Sequence, residues 1–145
     1  MKRPILLVED NEDDVLLTLR AMRKVAITHD IVVRRDGVEA LDYLFDAGSE
    51  LPWIIILDLN LPRVDGLETL ASLRAHERTK LVPVIILSSS NERQDVIQSY
   101  TLGANSYLRK PGDFHTFERL VHVIRAYWEA NETPATAGRA PFPYT

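Results

Sequence analysis

Apolar residues follow two alternating rhythms along this chain. Short runs with little polar interruption occur at Ile5-Leu6-Leu7-Val8, Ile31-Val32-Val33, Trp53-Ile54-Ile55-Ile56-Leu57 and Val82-Pro83-Val84-Ile85-Ile86-Leu87, with a weaker one in Ser106-Tyr107-Leu108-Arg109-Lys110-Pro111. Runs of four to eight apolar residues suit strands covered on both faces, as in a parallel sheet flanked by helices. Between them, apolar positions recur three or four apart. The sets are Val15, Leu16, Leu19, Met22, Val25; then Val38, Leu41, Leu44, Phe45; then Leu67, Leu70, Leu73; then Val96, Ile97, Tyr100, Leu102; and finally Phe114, Phe117, Leu120, Val121, Ile124, Trp128. That spacing predicts amphipathic helices. Five strands alternating with five helices predict an α/β fold built on a five-stranded parallel sheet with helices on both faces.

Charge predicts the strand order. The first, third and fourth runs carry no charge and belong in the middle of the sheet, whereas the second and fifth carry Arg34-Arg35 and Arg109 and suit its edges. With right-handed crossovers the simplest such sheet has order 2-1-3-4-5. The chain reverses direction across that sheet between strands one and three, and the crevice there is where ligands bind in open α/β sheets. Turn residues agree with these bounds: Asn11 or Asp13 can cap the first helix, Asp65-Gly66 opens the third, and Gly103 is placed to end the fourth.

Composition narrows the function. The 145 residues fit one domain, with 46% hydrophobic and 26% charged residues. No apolar run approaches the roughly 20 residues that span a bilayer, and no signal peptide is apparent, because Glu9 and Asp10 interrupt the first apolar stretch. The absence of cysteine excludes disulfides and thiolate metal sites and makes the reducing cytoplasm the expected compartment. A net charge of -4 provides no electrostatic footprint for nucleic acid, so a protein or small-molecule partner is expected.

Several polar residues then fall at strand ends. Glu9 and Asp10 follow the first strand, Asp58 the third, Ser88 the fourth, and Lys110 closes the fifth. Alone, each has an ordinary explanation: Asp58 as a turn residue, Ser88 in Ser88-Ser89-Ser90-Asn91 as a helix cap, Lys110 as a solvated surface lysine. Together in one crevice they do not. Three converging carboxylates repel one another unless their pKa values rise or a cation sits among them. A hard divalent cation such as Mg²⁺ fits, since it takes oxygen ligands and commonly combines one or two carboxylates with a phosphate oxygen. With a hydroxyl at Ser88 and an ammonium at Lys110, the set suits a phosphoryl group.

Four motifs resemble the receiver domains of two-component response regulators, whose member CheY has the 2-1-3-4-5 order. They are Leu7-Val8-Glu9-Asp10-Asn11, Leu57-Asp58-Leu59-Asn60-Leu61-Pro62-Arg63-Val64-Asp65-Gly66-Leu67, Ile85-Ile86-Leu87-Ser88-Ser89 and Tyr107-Leu108-Arg109-Lys110-Pro111. The resemblance implies a signalling protein that promotes its own phosphorylation and dephosphorylation rather than a conventional enzyme. It makes Asp58 the phosphoacceptor, taking phosphate from a phosphohistidine on a sensor histidine kinase. It makes Asp10, Asp58 and the backbone carbonyl of Asn60 the ligands of Mg²⁺, or of Mn²⁺, with Glu9 acting through water. Lys110 would pair with the phosphoryl group, and Ser88 and Tyr107 would be the switch pair. The Lys110-Pro111 bond would be cis. Glu9 stands where many relatives have Asp, and Gly112 where an aromatic is frequent.

The resemblance extends to single-domain, phytochrome-associated receivers, on Tyr100-Thr101-Leu102-Gly103-Ala104-Asn105-Ser106-Tyr107 and the Trp128-containing helix end. It implies a bacteriophytochrome as kinase and a homodimer through the fourth helix, fifth strand and fifth helix, besides a downstream protein. Val123 and Tyr127 widen the apolar surface of the last helix, which is either a broad buried face or a partner surface. Residues 1–130 are expected to form the receiver and 131–145 a flexible tail. His29, His76, His115 and His122 lack metal-pair spacing and are expected at the surface or its boundary. Two rivals fit less well. A haloacid-dehalogenase-like phosphatase carries its nucleophile on the first strand with a second Asp two residues on, where Asp58 has Asn60. A flavin module needs a phosphate loop after the first strand, and the acidic loop here would repel it.

Overall fold

A computed structural model describes residues 3–134 of the chain. The elements are β1 (Ile5–Val8), α1 (Glu12–Lys24), β2 (Ile31–Arg34), α2 (Gly37–Phe45), β3 (Ile54–Leu57), α3 (Gly66–Ala75), β4 (Val84–Ser88), α4 (Arg93–Thr101), β5 (Ser106–Arg109) and α5 (Phe114–Ala130). The strands form one parallel sheet in the order β2-β1-β3-β4-β5. Every residue of β1, β3 and β4 is buried, whereas β2 and β5 are only half covered, as their arginines predict.

Because side chains alternate across a strand, the sheet divides the core in two. Ile5, Leu7, Ile54, Ile56, Ile85 and Leu87 face α1 and α5, where Met22, Phe117, Val121 and Trp128 meet them. Leu6, Val8, Ile55, Leu57, Val84 and Ile86 face the other helices through Leu44, Leu70 and Leu73. Each such side chain stabilises the fold by about 1.5–3 kcal/mol relative to exposure. Dense apolar packing on both faces leaves the strand ends as the place for polar chemistry.

Side-chain caps set where the helices begin. Asn11, Asp36, Asp65 and Asp113 accept the backbone N–H three residues on, at the starts of α1, α2, α3 and α5. Gly103 follows α4 at φ 105°, the left-handed conformation expected of a residue closing a helix. Gly66 admits α3 close to the sheet: a Cβ there would lie 2.3 Å from the Asp58 carbonyl oxygen and 2.5 Å from the Leu59 Cα.

Two helices depart from their sequence patterns. In α4 the buried residue is Ser99, while Ile97 and Tyr100 are exposed; of its apolar set, Leu102 at the C-cap packs against the core. In α5 the main apolar stripe is buried, but the positions that widen it are not: Val123 is 62% and Tyr127 59% exposed. Glu118 and Arg125 turn toward α1, contacting Lys24 and the Val25 carbonyl. Tyr127, about 200° around the helix from Arg125, points away from α1. Of the expected tail, residues 135–145 lie outside the described residues; within the rest, Thr133 is buried. No helix among the described residues is long and apolar enough to cross a membrane.

Candidate functional site

Strand register assembles the site. Val8 is paired with Leu57, so the next residues, Glu9 and Asp58, leave the sheet side by side, tied by the Asp58 N–H to the Val8 carbonyl at 3.1 Å. Ser88 pairs with Arg109, and the Lys110 N–H then donates to the Ser88 carbonyl at 2.9 Å. The carboxylates of Glu9, Asp10 and Asp58 converge, with one oxygen from each lying within 4.8 Å of the others. Glu9 and Asp58 are buried and Asp10 is exposed, so the cluster opens to solvent on one side.

Lys110 offsets part of this charge. Its Nζ donates to Glu9 Oε1 at 2.5 Å, Asp14 Oδ2 at 3.0 Å and Asp58 Oδ2 at 3.1 Å. Burial disfavours the ammonium, but Glu9, Asp58 and Asp14 more than offset it and raise the Lys110 pKa, keeping it charged. Glu9 moves the other way for a carboxyl: burial, reinforced by a hydrogen bond and repulsion from Asp58, pushes it up to about 7 against the partial relief of Lys110. The crowding of carboxylates expected from the sequence is thus met both by a raised pKa and by a protein cation. Hard oxygen donors at this spacing suit Mg²⁺ or Mn²⁺ rather than a soft metal.

Residues 5–124 match the response regulator receiver domain family. The chain belongs to that family. It is similar to the probable methanogenesis regulatory protein FilR2 of Methanothrix harundinacea, with 41% identity covering 92% of this chain and 88% of that protein. It is also similar to response regulator Rcp1 of Synechocystis sp., with 38% identity covering 86% and 87%. The Mn²⁺-bound form of Rcp1 superposes with a TM-score of 0.84 and 36% identity, covering 91% of this chain and 99% of Rcp1. The phosphorylated cyanobacterial phytochrome response regulator RcpA superposes with a TM-score of 0.86 and 35% identity, covering 92% and 99%.

The remaining predicted site residues of this receiver lie on β4 and β5 or just beyond β3 and β5. Ser88 is fully buried, and its Oγ accepts the Ser90 N–H at 3.1 Å. Tyr107 donates its hydroxyl to the Ser90 carbonyl at 3.0 Å, so both expected switch residues bond to the loop between β4 and α4. Asn60 is exposed, and its N–H donates to Asp58 Oδ1 at 3.3 Å. The Lys110-Pro111 peptide is trans, which corrects the cis expectation. Trans is the lower-energy form of such bonds by about 0.5–1 kcal/mol, and the Lys110 N–H anchored on Ser88 lets the ammonium reach its carboxylates without the other isomer. The four histidines stay at the surface or its boundary.

Two participants escaped the sequence reading. Asp14, in the first turn of α1, bonds Lys110; its position just before buried Val15 is the available signal. Arg63 donates to both carboxylate oxygens of Asp36 at 2.8–3.1 Å. Nothing in the spacing of those two residues announces the contact.

Proposed function

We propose that this receiver accepts a phosphoryl group on Asp58 from a phosphohistidine of a sensor histidine kinase and thereby switches a protein-interaction surface. The observation that carries the reading is the juxtaposition of buried Asp58 with Lys110 and with the Glu9 and Asp10 carboxylates at one open mouth. In the transfer, an Asp58 carboxylate oxygen forms a bond to phosphorus as the phosphorus–nitrogen bond breaks, and the histidine nitrogen keeps the electron pair. Asp10, Asp58 and the Asn60 carbonyl would hold Mg²⁺ or Mn²⁺, with Glu9 acting through water. Held there, such a cation would supply positive charge for the phosphoryl oxygens and so favour in-line attack by Asp58. Lys110, already on Asp58, moves its donors onto a phosphoryl oxygen, and Ser88 supplies a hydroxyl to another. Tyr107 follows Ser88 through their shared loop.

Likeness to RcpA, a phytochrome response regulator, favours a bacteriophytochrome as the kinase. The exposed Ile97, Tyr100 and Tyr127 support a homodimer through α4, β5 and α5, a face a downstream protein would also read. The overall acidity argues against nucleic acid as that partner, and the lack of cysteine favours the cytoplasm. Incubation with acetyl phosphate and Mg²⁺, followed by intact mass, tests the central step. A single phosphoryl adduct is expected on the native chain and none on Asp58→Asn. An equal adduct on both would refute it, and a monomeric mass in light scattering, with and without phosphorylation, would refute the dimer.

A further inference from the structure

The loop from Asn60 to Asp65 leads from the Asp58-Leu59 end of β3 into α3, and its first N–H contacts the Asp58 side chain. Its two ends are pinned by backbone: the Gly66 N–H donates to the Leu59 carbonyl at 2.9 Å, and the Asn60 N–H reaches Asp58 Oδ1 at 3.3 Å. Among the described residues, Arg63 is the one member of this loop that hydrogen-bonds to an element outside β3 and α3. Its guanidinium makes three contacts of 2.8–3.1 Å with Asp36, the N-cap of α2.

Three features mark this pair as more than a surface salt bridge. Arg63 holds φ 64°, a left-handed conformation that a residue with a Cβ adopts only when its surroundings enforce it. The Arg63 side chain is 57% exposed, so the pair adds little stability of its own, yet Asp36 is only 11% exposed and fixed by the Glu39 N–H. The loop is also wedged: a Cβ on Gly37 would lie 2.1 Å from the Val64 carbonyl, and one on Gly66 would lie 2.3 Å from the Asp58 carbonyl. Displacing the loop from α2 therefore displaces what it touches on β3.

We infer that the Arg63–Asp36 pair is a strut from α2 that holds the β3–α3 loop in place beside Asp58 and so sets the affinity of the acidic site for a divalent cation. Arg63 is a positioning residue, acting through Asn60 and Asp58. The inference rests on the metal reading given above.

Mn²⁺ titration of the full chain by calorimetry, beside melting curves without metal, tests it. Arg63→Ala and Asp36→Asn each weaken Mn²⁺ binding about tenfold, the size expected when an outer partner of a metal site is removed. The double variant binds no more weakly than the weaker single one, because both break one contact. Arg63→Lys falls between, since an ammonium keeps the charge but not the two-pronged geometry. Arg63→Gly melts above Arg63→Ala, because glycine adopts positive φ without strain, yet it shares the weak Mn²⁺ binding. That split between stability and affinity is one a purely structural role does not produce. If Mn²⁺ affinity in Arg63→Gly and Asp36→Asn stays within about twofold of native, the strut is overturned while the metal reading stands. If the native chain binds no Mn²⁺, both are overturned.

Discussion

Replacing Lys110 by Met removes the ammonium that serves three carboxylates at 2.5, 3.0 and 3.1 Å while keeping an unbranched side chain only one heavy atom shorter. Taking one partner from a buried ion pair costs about 3–5 kcal/mol. Two features pull this toward a lower figure: Asp14 is 39% exposed, and Glu9, with a pKa near 7, can take up a proton. A loss of about 2–4 kcal/mol follows near pH 8, which at about 3 °C per kcal/mol lowers Tm by about 6–12 °C. The pH dependence has a definite sign. Glu9 holds its proton more tightly in the folded chain, at about 7, than a free glutamate does at 4.5, so its contribution to stability is full below about 4.5 and declines as pH rises through 7. Lys110 pulls that folded pKa down; without it the decline runs further and to higher pH. The variant should therefore lose least at about pH 5.5, where Glu9 is already protonated, and most at about pH 8. Added Mn²⁺ should restore part of the loss, because it returns positive charge to the cluster. Thermal unfolding by circular dichroism at the two pH values measures all three effects. An unchanged Tm, or the same loss at both pH values, would show that the ammonium and the carboxylates are not coupled.

Other outcomes follow from single contacts. Gly66→Ala forces a methyl to within 2.3 Å of backbone at Asp58, so it should lower stability by more than about 2 kcal/mol in denaturant titration. It should also impair acetyl phosphate labelling of Asp58 in whatever fraction stays folded. Asp36 has its pKa lowered: burial opposes this, but the Glu39 N–H and Arg63 prevail, so the stability it adds is present above about pH 3.8 and lost as pH falls through the folded value. Asp36→Asn keeps the cap but not the charge, and its Tm deficit should shrink as melts are taken from pH 7 toward pH 2.5. Tyr107→Phe deletes one hydroxyl bond to Ser90 and should cost about 0.5–1.5 kcal/mol in chemical denaturation, with near-ultraviolet circular dichroism registering the changed aromatic environment.

The sheet was legible because its signals are local and strong. Uninterrupted runs such as Ile54–Leu57 mark strands buried on both faces, and the arginines of β2 and β5 mark edges, so order and crevice follow. Asp58 and its acidic neighbours were legible for the same reason, since each lies where an apolar run stops. Contacts between side chains distant in the chain were not. The reach of Lys110 to Asp14 and of Arg63 to Asp36 depends on loop path and rotamer, which no periodicity encodes. The apolar spacing of α4 misled as to burial, because Ile97 and Tyr100 satisfy a helical pattern equally well whether they face a core or solvent. The trans bond before Pro111 lies beyond pattern altogether, since both isomers are compatible with the same residues.

The ammonium lodged among the acids has one more consequence. Many small metalloproteins are unfolded until their ion arrives, because bare ligands repel and nothing else holds them together. Here the chain carries its own counter-ion, on the residue that follows the edge strand β5. Folding is thereby uncoupled from metal supply: an internal ammonium already holds these acids together, so the polypeptide needs no captured ion to complete its fold.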